Sequence, residues 1–224
     1  MPSAYRAAPS ALLACLVLAG CSPVMEDSVS ADSKGAASAR ASATAAGGAS
    51  SKQSIPVGAG PQTKYAVQEQ PPAGSCRYRY VKREPLPDPK CTPGATSPAV
   101  TQANLASTIC RKGGYTKDIR PPVSVTSKEK QLNAASYGYK GSLSDAEYDH
   151  LISLQLGGDP NDSRNLWVQP PDPGHKPGTG VNNLKDPVET KLHTAICNGR
   201  VTLAAAQRAI VTDWTTALES LGLG

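Results

Sequence analysis

The sequence predicts a small, disulfide-stabilised α+β domain behind a long unstructured leader, and three observations predict it. Apolar Ile152, Leu154 and Leu156 alternate with polar neighbours, which is the period of a half-buried strand. Val188, Leu192 and Ile196 recur at the period of a helix. Of six cysteines, Cys76, Cys91, Cys110 and Cys197 fall in the later part of the chain, beyond a stretch almost without large apolar side chains.

The leader divides in two. Arg6 is followed by the apolar run ALLACLVLAG (11–20), shorter than the ~20 residues that span a bilayer and suited to a secretory signal. Its end, Leu18-Ala19-Gly20-Cys21, resembles the bacterial lipobox, which implies removal of residues 1–20 and lipidation of Cys21. An ordinary signal peptide with a chance cysteine exports the protein as well. On the lipobox reading the domain faces outside the cytoplasm, with the membrane as a partner through Cys21. Residues 21–75 are rich in Ala, Ser, Gly and then Pro and Gln, too poor in apolar surface to offset the entropy of ordering. They are expected to be a flexible tether, leaving 76–224 as one folded domain. The net charge of +5 permits a polyanionic partner without arguing for one.

An even set of cysteines in an exported domain points to disulfides, with all pairings open. A structural zinc site is disfavoured because no close C-x-x-C pair is present.

The elements follow in order. Residues 76–97 carry Pro85, Pro87, Pro89 and Pro93 and read as extended, irregular chain clamped by cysteine. Thr101–Cys110 suits a short helix with Leu105 and Ile109 on one face. Thr126 and Glu129 have capping-box spacing, so a helix over 128–136 is expected, stopped at Gly138. The strand through Ile152–Leu156 starts at His150 and breaks at Gly157-Gly158-Asp159-Pro160; NLWV (165–168) is its return. In such a hairpin the side chains of His150 and Asn165 come close. A Pro/Gly loop holding His175, expected to be solvent-exposed, leads to a helix with Asp186 as N-cap, Pro187 next and Glu189 at N3. Gly199 ends it, and Glu189 and His193 stand four apart on one face. Thr202 caps a last helix, in which Leu203, Ile210, Trp214, Leu218 and Leu221 are packing residues.

Strand, loop with Asn, strand, then helix with His is the order of the ββα-metal motif. Asp149-His150, Gly157-Gly158, Asn165-Leu166-Trp167, Lys185-Asp186, His193 and the tail from Cys197 to Trp214 resemble the HNH endonuclease family, particularly its exported actinobacterial members. Cys91-Thr92-Pro93-Gly94-Ala95, Gly114-Tyr115-Thr116 and Arg120-Pro121-Pro122 also look like that subgroup, so the resemblance covers roughly 88–216. It implies an HNH-like hairpin-plus-helix core with additional helices. It further implies a metal-dependent nuclease acting on DNA, with RNA as the alternative substrate; a monomer without a small-molecule cofactor is expected.

Phosphodiester hydrolysis needs an activated water and compensation of charge on the phosphate. His150 is the expected general base, with Asn165 orienting its ring through the amide oxygen. Asp149 and His193 are the expected ligands of one divalent ion, with Glu189 as alternative ligand; Mg or Mn suit such a site, and Zn or Ni with more imidazole. Lys185, Arg164 and Arg120 are weaker candidates for substrate phosphates. Each residue also has a plainer role: Asn165 in a turn, Glu189 in its helix cap, His193 on a helix surface, Lys185 and Arg164 as solvated cations. The rival class is a non-catalytic exported domain that binds a cell-envelope or protein ligand.

Overall fold

The computed structural model describes residues 54–224 apart from residue 182. Signal, lipobox and Cys21 lie outside them.

The described chain is mixed α and β with two small antiparallel sheets. β1 (Arg79–Val81) and β2 (Glu84–Leu86) form a short hairpin. A 3-10 helix over Gln102–Ser107 follows, where a short helix is expected, and it points Ile109 into the core. α1 (Val123–Tyr137) ends as expected at Gly138, whose φ of 60° is the left-handed cap conformation that glycine adopts without cost. Its start is earlier than the sequence suggests. Pro122 is the N-cap, and Glu129 is buried, accepting from the Gln68 amide at 2.8 Å instead of serving a capping box.

The second hairpin pairs β3 (Glu147–His150) with β4 (Leu166–Gln169), Asp149 opposite Trp167 and His150 opposite Leu166. The strand therefore ends at His150, where the alternation Ile152-Leu154-Leu156 had predicted that it begins. Leu154–Leu156 is instead a 3-10 turn, and Leu151, Ile152, Leu154 and Leu156 are all buried. A compact turn buried on every side produces the same apolar spacing as a half-buried strand. α2 (Lys185–Cys197) packs on this turn. The last predicted helix is two: α3 (Leu203–Asp213), capped by Thr202 as expected, and α4 (Ala217–Ser220). Asp213 takes the Thr215 amide at 2.9 Å and hydroxyl at 2.7 Å at the break. Trp214 is buried and donates to the Pro85 carbonyl, as a core residue should.

The main apolar cluster holds Leu86, Val100, Ile109, Ile152, Leu156, Leu192, Ile196, Leu203, Ile210 and Trp214, while Tyr137 of α1 packs with Leu151 and Trp167 in a second and Ala134 with Val168 in a third. The disulfide Cys76–Cys91 lies at the second cluster, and Cys110–Cys197 joins Cys110, packed on the main cluster, to the end of α2.

The tether boundary at residue 75 is corrected. Residues 54–75 have no helix or strand of their own, yet they lie along the domain as a strap. The Gly58 amide donates to Thr96 at 2.9 Å and the Gly60 amide to Asp159 Oδ2 at 2.6 Å. Tyr65 donates to the Ile119 carbonyl at 2.6 Å, and the Gly74 amide to Ala135 at 2.9 Å. Composition misses this because backbone groups, which every residue carries, do most of the docking.

Candidate active site

The centre of the site is a buried ammonium. Lys185, the first residue of α2, is fully enclosed, and its Nζ donates to Asp149 Oδ2 at 2.7 Å, to the His150 carbonyl at 2.8 Å and to Glu189 Oε1. An ammonium has three protons, and these are three acceptors. Asp149 Oδ2 also accepts from Trp167 Nε1 at 3.0 Å, and Glu189 Oε2 accepts from Gln155 Nε2 at 3.3 Å. Burial works to discharge Lys185, but the Asp149 and Glu189 carboxylates outweigh it and hold the amine charged. One ammonium between two carboxylates leaves a surplus negative charge. Burial, with Asp149 close by, accordingly pushes Glu189 up to about 7, despite the opposing pull of Lys185. Glu147 rises to about 7 as well, through burial and then through Asp149 and Asp186.

The helix start that places Lys185 is built by Asn183. Its Oδ1 accepts from the Lys185 amide at 3.0 Å and the Asp186 amide at 3.1 Å, and its Nδ2 donates to Glu147. α2 thus begins one residue before the predicted cap, Asp186, which is exposed.

His150 stands beside this bridge with its ring buried. Its Nε2 lies 3.0 Å from the Pro160 carbonyl, an acceptor only, so Nε2 carries the proton and Nδ1 keeps a lone pair. Burial pushes the imidazole down to about 4; the Pro160 carbonyl and Asp149 oppose that, while Arg120 and Lys185 add to it. The ring is neutral at physiological pH.

Asn165 does not orient that ring. Its Oδ1 accepts from the Ile152 amide at 3.0 Å and the Ala95 amide at 3.3 Å, and its Nδ2 donates to the Ile152 and Asp159 carbonyls, both at 3.0 Å. The carboxamide clamps both ends of the 152–159 loop and so sets the position of Pro160, the next residue. Its action on His150 is indirect. Gly158 belongs to the same clamp, since a Cβ there would fall 1.7 Å from the Ile152 carbonyl oxygen.

Of the two helix residues proposed against Asp149, the structure brings in Glu189 and not His193. Residues 185, 189 and 193 follow one another at i+4, so His193 sits two turns, about 12 Å, beyond Lys185. His193 Nε2 donates to the Ile109 carbonyl at 2.8 Å and lies 3.4 Å from Cys197 Sγ. Cys110, His193 and Cys197 form the one trio of potential metal ligands among the described residues, their ligand atoms all within 4.8 Å. The two sulfurs are bonded to each other as a disulfide and offer no thiolate.

The expected divalent ion therefore does not fit the site as it stands. Asp149 Oδ2 and Glu189 Oε1, hard oxygens that Mg or Mn would take, are held by Lys185, and Zn or Ni lacks the second imidazole.

The expected phosphate contacts separate. Lys185 is internal to the site, not a solvated cation. Arg164 chelates Asp162, with 2.5 Å from Nη2 to Oδ2, and reaches the Val57 carbonyl. Arg120 is exposed, and its charge adds to the lowering of the His150 pKa. His175 is half-buried, with Nε2 3.5 Å from Asp145 Oδ1, and not free in a loop.

Sequence reasoning missed the Pro160 carbonyl, because a backbone acceptor has no signature in residue type. It also missed the Lys185–Glu189 bridge, for which the i,i+4 spacing was the available signal. The chain matches no protein-family model, no curated protein and no solved structure.

Proposed function

We propose that this chain is an exported phosphodiester hydrolase of HNH type, acting on DNA or RNA with His150 as general base. The observation that carries the reading is the fixed tautomer of His150: Nε2–H on the Pro160 carbonyl leaves Nδ1 as a lone-pair base, uncharged at neutral pH. His150 Nδ1 takes a proton from water as the resulting hydroxide attacks phosphorus. The bond to one ester oxygen breaks, and that oxygen recovers a proton, leaving a phosphomonoester end and a hydroxyl end. Arg120, exposed and with its charge felt at His150, is the residue to face the phosphate charge. The order Asp149-His150, Asn165, helix supports the same reading through its resemblance to HNH nucleases.

The rival reading, a binding domain without catalysis, draws on one observation, the nearly complete enclosure of Asp149, His150 and Lys185. Cleavage decides between them. The purified chain should nick supercoiled plasmid or degrade RNA, and His150→Ala should abolish this while retaining the fold. Inactivity of the wild-type chain on both nucleic acids, with Mg, with Mn and in EDTA, sinks the hydrolase reading.

A further inference from the structure

The HNH resemblance implies a divalent ion held by Asp149 and a helix residue. The structure holds an ion-like group at that place already, but it belongs to the chain. We propose that the Lys185 ammonium is the resident cation of this site, taking the oxygens that a divalent ion would take, so that the chain folds and acts without a metal bound between Asp149 and Glu189.

Three observations carry this. Coordination of the ammonium is complete, with Asp149 Oδ2, Glu189 Oε1 and the His150 carbonyl oxygen accepting its three protons. These are hard oxygen donors, two of them carboxylates, the set that Mg or Mn prefers. Nor can Lys185 swing aside at small cost. It is fully enclosed, it stands on the first turn of α2, and the backbone of that turn is fixed by Asn183. A divalent ion entering here has to expel a buried ammonium and leave it unpaired, which costs more than burying it paired.

Further donors hold the same carboxylates: Gln155 donates to Glu189 Oε2, Trp167 to Asp149 Oδ2, and Asn183 to Glu147 Oε2. His193 is occupied at Ile109, beside the Cys110–Cys197 disulfide. The same chemistry predicts what removing the ammonium does. Lys185→Ala leaves two carboxylates and a carbonyl oxygen around a space with no positive charge, and that is a cation site.

The activity half of this proposal rests on the hydrolase reading; the binding half does not. The test is a Mn(II) titration of the full chain under oxidising conditions, followed by electron paramagnetic resonance, with thermal unfolding in Mn(II) and in EDTA. Wild type is expected to show no stoichiometric Mn(II) site that Asp149→Asn removes, and a midpoint unchanged within about a degree between Mn(II) and EDTA. Lys185→Ala is expected to unfold at lower temperature and to regain several degrees with Mn(II), as ligand binding to the folded state alone requires. The Lys185→Ala/Asp149→Asn variant should lose that rescue. One tightly bound Mn(II) per wild-type chain, lost on Asp149→Asn, overturns the proposal. Should Lys185→Ala fail to fold, the wild-type isotherm still decides. Any nucleic-acid cleavage by wild type is expected to persist in EDTA, and cleavage abolished by EDTA overturns the activity half. A wild type that neither cleaves nor binds Mn(II) removes the hydrolase reading and leaves the resident cation standing.

Discussion

Lys185 Nζ donates to the main-chain carbonyl of His150 at 2.8 Å, so the ammonium that bridges the carboxylates also pins the end of the strand bearing that imidazole. α2 and β3 meet at that bond. Position and charge at this site are therefore one property, set by a single side chain. The isosteric, neutral Lys185→Met separates charge from volume. It leaves Asp149 and Glu189 buried without a counter-charge, and breaking a buried pair from one side costs about 3–5 kcal/mol. Urea unfolding should register this loss, and adding Asp149→Asn and Glu189→Gln to Lys185→Met should recover much of it. A loss below about 1 kcal/mol, the range of exposed ion pairs, contradicts a buried bridge.

The pH response follows from groups shifted in opposite directions. His150 has a folded pKa of about 4, below the ordinary histidine value, because its ring is buried. Between these two values the unfolded chain binds more protons. The contribution of His150 is therefore full above the unfolded pKa of about 6.5 and is lost as pH falls towards 4, amounting to about 3 kcal/mol at most. Glu147 and Glu189, raised to about 7 by burial, act the other way: their contribution is present at low pH and lost as pH rises through about 7. Carbon- and nitrogen-detected NMR titration separates them. His150 should stay a neutral Nε2–H tautomer from pH 7 to near 4, and a midpoint near 6.5 would contradict its buried, carbonyl-bound ring.

Asn165 is expected to matter more to the fold than to proton transfer itself. Replacing it with Ala leaves the Ile152 amide and carbonyl, the Ala95 amide and the Asp159 carbonyl without their buried partner. Each orphaned group costs about 1–3 kcal/mol, so Asn165→Ala should lose about 3 kcal/mol or more. Pro160 should loosen with the loop, and the His150 titration should move up towards the ordinary value. Thermal unfolding and the same NMR titration measure both effects. An Asn165→Ala protein of unchanged stability, with His150 unmoved, removes the loop clamp from the account.

Local signals in the sequence carried some of these features and not others. The stop at Gly138, the cap at Thr202 and the burial of Trp214 were legible because each depends on a few neighbouring residues. Four cysteines in a chain expected to be exported announced disulfides, but the pairing Cys76–Cys91 and Cys110–Cys197 is a property of the fold. The Leu154–Leu156 turn was misread because burial on all sides imitates alternation. The strap over 54–75 was misread because most of its anchors are main-chain groups. At the site, residue types pointed to Asp149, His150 and Asn165, while partners were assigned by motif order. The true partners, Pro160 O for His150 and Lys185 for Asp149, depend on where a loop curls and where a helix starts. Neither can be read from spacing alone.

His193 and Glu189 provide the last separation, because motif order favoured the imidazole and the geometry favours the carboxylate. His193 donates to the Ile109 carbonyl, two turns of α2 beyond Lys185, and makes no hydrogen bond or ion pair with Asp149. His193→Ala should therefore cost about 1 kcal/mol, the net worth of an ordinary hydrogen bond, and leave His150's titration and any cleavage rate unchanged within about twofold. Glu189→Gln is nearly isosteric and acts at the bridge. It removes one of two carboxylates from Lys185, leaving a single ion pair with Asp149, and takes away one of the two groups raised to about 7. The pH dependence of stability between about 5 and 8 should flatten in Glu189→Gln and stay as in wild type in His193→Ala. Urea unfolding across that range, with the cleavage rate measured beside it, gives the comparison. A His193→Ala protein that loses cleavage while its stability and His150 titration hold would return the imidazole to the site and require α2 to be placed differently against β3.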